Sequence, residues 1–262
     1  MARIVVITTK GQAKKDFINA LQEETNGAVI LAVLQNVKRK GIFKRASSFY
    51  KKVGLSGIVS EIYYFLAVKL SERKRQALAT LSVRSILSKD NKTSYLAKTI
   101  ETNDVNEESV YRHIQELSPD IIVIWGGYII KPHLLETARF ALNMHSGFVP
   151  YYRGVNGIEH AIINGDFQHI GITIHKAISE VDAGEVIKII TSDYNDSPYE
   201  FFKALNDSAA REYIEIIKKI MKEGKVSSEK QNLTEGKNYL LKEWTYKKQN
   251  ALAEKILTWG ND

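Results

Sequence analysis

An α/β fold with a mostly parallel sheet and helices on both faces is predicted for this 262-residue chain by three observations. Residues 4–7 (IVVI) and 120–125 (DIIVIW) are β-rich apolar runs without alternation, the pattern of strands covered on both faces. The chain opens strand–helix–strand, and after residue 96 short apolar runs again alternate with helical patterns. The absence of cysteine excludes disulfides, cysteine-ligated zinc, iron–sulfur clusters and thiol nucleophiles. The first apolar run is too short for a signal-peptide core, so a cytoplasmic protein is expected.

Residues 10–24 place Phe17, Ile18 and Leu21 on one side of a helix, and 28–34 form the next strand. Residues 106–117 are helical in pattern, with Asn103 or Asp104 as the cap. The strand at 120–125 is closed by Gly126-Gly127, and a helix over 132–140 starts with Pro132 in its first turn. A strand at 141–145, a helix at 157–164, strands at 170–175 and 185–191 and a long helix at 198–221 follow. Residues 223–262 are a polar tail whose Trp244, Tyr246, Leu252, Ile256 and Trp259 can dock it but cannot make an independent domain.

Residues 36–90 break this rhythm and carry 13 basic residues against three acidic ones, a net +10 within a chain of +7. Such a block suits an anionic partner, or else is a solvated helical face. Within it, residues 54–70 are almost wholly apolar and at the short limit for a membrane span. The polar side of this stretch (Ser56, Ser60, Glu61, Tyr63, Tyr64) is thin for a helix lying on a bilayer. A helix or helical hairpin packed on the domain, or on a second subunit in a homodimer, is therefore expected. The expected partner is a small anionic molecule; nucleic acid and membrane are not expected.

Four of the six histidines, His145, His160, His169 and His175, fall within 31 residues. None pairs at the spacing that sets two imidazoles on one helix face, so no metal is expected. The stretch Asn143-Met144-His145 carries more. Alternation sends the amide and the imidazole to one side, at the end of a parallel strand where open α/β sheets bind ligands. Residues 146–156 behind it, with Gly147, Pro150, Arg153 and Gly154, form a turn-rich loop able to wrap a substrate, and Asp182-Ala183-Gly184 follows the next strand after a short loop. An amide, an imidazole and a carboxylate suit acyl transfer to an amine: the amide donates to a developing oxyanion while the other two manage protons. The same residue types also serve simply to cap strands and loops.

Residues 143–187 (NMHSGFVPYYRGVNGIEHAIINGDFQHIGITIHKAISEVDAGEVI) resemble the formyltransferases that use 10-formyltetrahydrofolate. That family carries, in this order, an Asn-x-His, a Pro-x-Tyr-Arg-Gly-like loop, a Gly-x-Thr-x-His-like strand and an Asp-x-Gly, and the likeness extends over residues 1–190. The resemblance implies a Rossmann-like formyltransferase fold, with a catalytic domain over 1–222 that contains the basic helical insertion 36–90, and a C-terminal extension over 223–262. It implies Asn143, His145 and Asp182 as catalytic residues and 10-formyltetrahydrofolate as co-substrate. Pterin contacts are expected from Gly127, Tyr128, Ile129, Ile130 and Val181, and acceptor contacts from Tyr152, Arg153 and Gly154. Ser146-Gly147 departs from the Pro-Ser that many members have there, which bears on the acceptor.

Three acceptors can be weighed. Glycinamide ribonucleotide calls for a phosphate cradle in the first βα loop, of which Thr8-Thr9-Lys10-Gly11-Gln12 is a weak version. Initiator tRNA suits the basic block, but enzymes of that kind carry a C-terminal barrel that the last 40 residues cannot supply. A primary amine on a nucleotide-linked amino sugar fits the layout best. The alternatives are phosphoribosylglycinamide or methionyl-tRNA as acceptor and, from another class, a non-catalytic relative that docks nucleic acid or a membrane.

Overall fold

The structure, a computed structural model, describes residues 2–36, 42–81, 94–193 and 197–259, with 42–55 described by their backbone alone. Strand β1 (Ile4–Thr9), helix α1 (Gln12–Glu24) and strand β2 (Val29–Gln35) form the predicted opening. Helices α2 (Ile42–Leu70) and α3 (Glu72–Thr80) lead to β3 (Thr99–Thr102), α4 (Glu108–Leu117), β4 (Ile121–Trp125), α5 (Pro132–Leu135) and β5 (Phe140–His145). After β6 (Tyr152–Gly154) come α6 (Gly157–Ile163), β7 (Ile172–Lys176), β8 (Val186–Ile190), α7 (Pro198–Glu223), β9 (Lys237–Tyr239) and α8 (Tyr246–Leu257).

The main sheet runs β3-β2-β1-β4-β5-β7-β8. It is parallel as far as β5, and β7 and β8 are antiparallel to their neighbours. The chain winds outward from β1 to β3 and returns on the other side of β1 at β4. This makes the crevice over the C-terminal ends of β1 and β4 the switch point at which open sheets bind ligands. Strands β6 and β9 form a separate parallel pair.

Val5, Ile7, Leu31, Val33, Ile122 and Ile124 pack against α4 and α5, whereas Ile4, Val6, Ala32, Leu34, Val123 and Trp125 pack against α1 and α7. Covering both faces is what removes the polar–apolar alternation from these strands. Helix α7 is delimited by local chemistry: Ser197 accepts from the Glu200 amide, Pro198 occupies the first turn and Gly224 closes it in a left-handed conformation. It delivers the fully buried Tyr213, whose hydroxyl lies 2.8 Å from the Leu142 carbonyl and 3.2 Å from the Ile124 amide. Tyr213→Phe keeps the ring and removes this tie between β4 and β5. It should cost about 1–3 kcal/mol, read as a lower urea midpoint, and an unchanged midpoint would deny the tie any role in stability.

Several elements differ from the sequence expectation. The helix expected over 132–140 is a single turn, because Phe140 already pairs with Ile121 in β5 and 136–139 must carry the chain there. Asn103 and Asp104 do not cap α4: Glu107 precedes it, and the Asp104 carboxylate accepts from the Asn106 amide (3.0 Å) in the turn that leaves β3. Residues 54–70 belong to the 29-residue α2 rather than to a hairpin. Glu61 faces inward, accepting from the Tyr246 and Lys247 amides (2.6 and 3.2 Å) at the start of α8. The 223–262 segment holds more structure than expected, since β9 pairs with β6 and α8 packs on α2, α3 and α6. No helix among the described residues is long and apolar enough to cross a membrane. Lys38, Arg39, Lys40, Arg84 and Lys89 of the basic block lie outside the described residues.

Candidate active site

Strand β5 ends in Asn143 and His145, two residues apart and on one side. Its parallel neighbour β4 sets Ile124 opposite Asn143, so the loop leaving β4 starts beside the amide. Its antiparallel neighbour β7 sets His175 opposite the same residue. Asp182, in the β7–β8 loop, meets all three. Its Oδ1 is 3.2 Å from Asn143 Nδ2 and 3.3 Å from His175 Nε2, and its Oδ2 is 3.3 Å from His145 Nδ1 and accepts from the Gly154 amide at 2.9 Å. Asn143 Nδ2 also lies 3.1 Å from His175 Nε2.

The partners fix the proton positions. His175 Nδ1 lies 2.8 Å from the Lys176 carbonyl, which only accepts, so Nδ1 carries a proton and Nε2 faces Asn143 and Asp182. His145 Nε2 likewise donates to the Tyr152 carbonyl at 2.9 Å, leaving Nδ1 toward the carboxylate. Burial lowers the His145 pKa, against the pull of Asp182 and the Tyr152 carbonyl toward the imidazolium. Burial would by itself raise the Asp182 pKa; His145, His175 and the Gly154 amide override it and hold it at about 2. The site therefore presents an ionised carboxylate flanked by two imidazoles and an amide.

His175 was not among the residues singled out for the site. Its signal was its match to the final His of the Gly-x-Thr-x-His-like strand, but its partner at Asn143 depends on the β5–β7 register. The other clustered histidines lie elsewhere: His160 stacks on Tyr239 at 4.0 Å with its pKa lowered to about 4 chiefly by burial, and His169 pairs with Asp166 at 2.9 Å.

Beside Asn143, Gly126 and Gly127 turn the chain out of β4 with positive φ. Tyr128 and Ile129 are exposed, and the Tyr128 amide donates to Gln35 Oε1 at 3.1 Å. The Ile130 side chain is buried with Val105 and Leu134, so this residue offers a ligand its main chain rather than its side chain. Val181 is half-buried in the opposite loop.

In the loop after His145, the Tyr152 ring is turned inward, stacked on Tyr239, with the hydroxyl 2.8 Å from Asp166 and a pKa pushed by burial to about 12, while its carbonyl meets His145. Arg153 is buried, with Nη1 3.4 Å from Glu180 on the loop that carries Asp182. Gly154 contributes the amide that holds the Asp182 carboxylate. A cavity of about 170 Å³ lies past the end of β5, lined in part by Ser146, Asn156, Glu159 and Asn206.

Residues 2–217 match the formyl transferase family. Methionyl-tRNA formyltransferase of Borrelia garinii subsp. bavariensis is 31% identical over 138 residues, 50% of this chain and 43% of that protein, so the match spans less than half of its relative's length. A 4-N formyltransferase from Francisella tularensis shares the fold with a TM-score of 0.58 at 15% identity, over 99% of this chain and 90% of that one. An N-formyltransferase from Helicobacter canadensis, solved with folinic acid and dTDP-3-aminofucose, gives 0.54 at 13% identity, over 96% of this chain and 79% of that one. With the family matched over most of its length and its fold shared with solved members, the chain belongs to the formyl transferase family.

Proposed function

We propose that the protein is a cytoplasmic N-formyltransferase, with residues 1–222 as its catalytic domain, that moves the formyl group of 10-formyltetrahydrofolate to a primary amine on a nucleotide-linked amino sugar. The observation that carries this reading is the meeting of Asn143, His145 and Asp182 at the C-terminal edge of the sheet. The neighbouring groups fit a folate. Tyr128, Ile129 and Val181 supply apolar walls for a pterin, and the Gly127–Ile130 main chain supplies polar partners. Gln35 Nε2, buried beneath that loop without a partner among the described residues, is a further donor.

When bound, the folate supplies the formyl group and the leaving nitrogen. Asn143 Nδ2 exchanges one of its present bonds for the formyl oxygen as negative charge develops there; burial disfavours a resting imidazolium at His145, so this ring adds positive charge only as that negative charge develops, helped by Asp182 and the Tyr152 carbonyl. Ionised Asp182 takes the proton released by the attacking amine, directly or through water, and holds His145 in place; the proton then passes to the folate nitrogen as its bond to the formyl carbon breaks, which returns Asp182 to its ionised form. A neutral amine is already a good nucleophile, so no covalent enzyme intermediate and no metal enter this scheme.

The sugar acceptor is supported by the net +10 of residues 36–90, which suits phosphate groups. It is also supported by likeness over nearly the whole chain, extension included, to the Helicobacter canadensis enzyme solved with dTDP-3-aminofucose. The test is to incubate the protein with 10-formyltetrahydrofolate and a panel of nucleotide-linked amino sugars, glycinamide ribonucleotide and methionyl-tRNA. The expected result is a mass gain of one formyl group on a sugar. Formylation of either other acceptor alone would reassign the acceptor, and no formylation of any, with no folate effect on melting temperature, would defeat the enzyme reading.

A further inference from the structure

We infer that Gln231, in the segment leading to β9, positions the Asp182 carboxylate and so makes the C-terminal extension part of the catalytic apparatus; this rests on the role given to Asp182 above. Asp182 holds φ 49°, a left-handed conformation that aspartate adopts more readily than most residues but that still costs it energy relative to the right-handed one. Its own loop imposes little: the turn bond from the Ala183 amide to the Glu180 carbonyl is long, at 3.4 Å. The constraint comes from outside the loop. Gln231 Nε2 donates to the carbonyl of Asp182 at 3.0 Å and to that of Gly184 at 2.6 Å, clamping the main chain at the left-handed residue and two positions beyond it.

Both acceptors are carbonyl oxygens, so only the nitrogen end of the Gln231 amide can face them. The other end, Oε1, is buried with no partner among the described residues. An unpaired buried acceptor is a cost, which the two bonds donated from Nε2 offset. The segment itself is anchored just before Gln231. Glu229 exchanges two main-chain hydrogen bonds with Val186 (2.7 and 2.8 Å), and the Ser228 hydroxyl donates to Glu185 at 2.7 Å.

The same extension reaches the far side of the carboxylate. Strand β9 pairs with β6, with the Val155 amide donating to the Tyr239 carbonyl at 2.8 Å. Strand β6 supplies the Gly154 amide to Asp182 and the Tyr152 carbonyl to His145. Gln231 thus sets the backbone of Asp182 while β9 sets the groups that receive its side chain.

The test compares the full-length protein with Gln231→Met and Gln231→Leu, which keep bulk and lose both donors, the second variant guarding against a failure of the first to fold. Asp182→Asn is assayed in parallel. The expected result is a kcat about ten- to a hundredfold lower, the scale for misplacing a reacting group, with folate-analogue affinity unchanged and any fall in melting temperature too small to unfold the variant at the assay temperature. Wild-type kcat in a folded Gln231 variant beside an inactive Asp182→Asn would overturn this inference alone. Full activity in Asp182→Asn would overturn both it and the reading of the site. A fall in kcat that only tracks a fall in melting temperature would also overturn it, as the mark of a purely structural tie.

Discussion

Asn143→Ala should lower kcat by about a hundredfold or more, the scale for losing one oxyanion donor, with little change in melting temperature. The amide sits between His175 Nε2 and Asp182 Oδ1, at the edge where β5 meets the loops that follow β4 and β7, whereas the Gln231 amide reaches only the Asp182 main chain. Removing it leaves the two imidazoles and the carboxylate in place but takes away the donor for developing charge. His145→Ala and Asp182→Ala should be comparably damaging. Asp182→Asn adds a signature in pH. Asp182 is held at about 2 in the folded protein against an ordinary 3.8. Its ionised form therefore stabilises the fold at pH above 3.8, and that contribution is lost as pH falls toward the folded value. The acid limb of the melting curve should be shallower in Asp182→Asn than in the wild type. Near-normal turnover in any of these folded variants would remove that residue from the mechanism.

The two-sided sheet could be read from the sequence because its strands carry apolar residues at successive positions, which only a core on both faces accounts for. Asn143, His145 and Asp182 could be read because they sit at fixed places in a motif, and the first two share a side by strand alternation. His175 depends instead on the β5–β7 register, a non-local fact that no spacing encodes. Tyr152 follows Tyr151 in a turn-rich loop, and nothing local says that its ring stacks on Tyr239 while its hydroxyl reaches Asp166. The packing of the extension is hidden from the sequence for a related reason: α8 buries Leu252, Ala253 and Ile256 and packs on helices of the insertion and on α6, so its apolar face has meaning only once those partners exist.

Gly147→Ala should be nearly as damaging to kcat as loss of a triad member, about a hundredfold, although the residue contributes no functional group. A Cβ at this position would overlap both His145 Nε2 and the Tyr152 carbonyl oxygen, the two atoms whose hydrogen bond fixes the imidazole. The surroundings have little room to yield. Gly157, at the start of α6, is packed so closely that a Cβ on it would in turn meet the Gly147 Cα, and the Ser146 carbonyl accepts from the Ile158 amide at 3.3 Å. The His145 ring must therefore swing away, breaking its bond to Tyr152 and moving Nδ1 relative to Asp182. The expected result is a folded variant that binds a folate analogue with wild-type affinity and turns over slowly. Wild-type kcat in folded Gly147→Ala would show that the His145–Tyr152 bond is dispensable for the reaction.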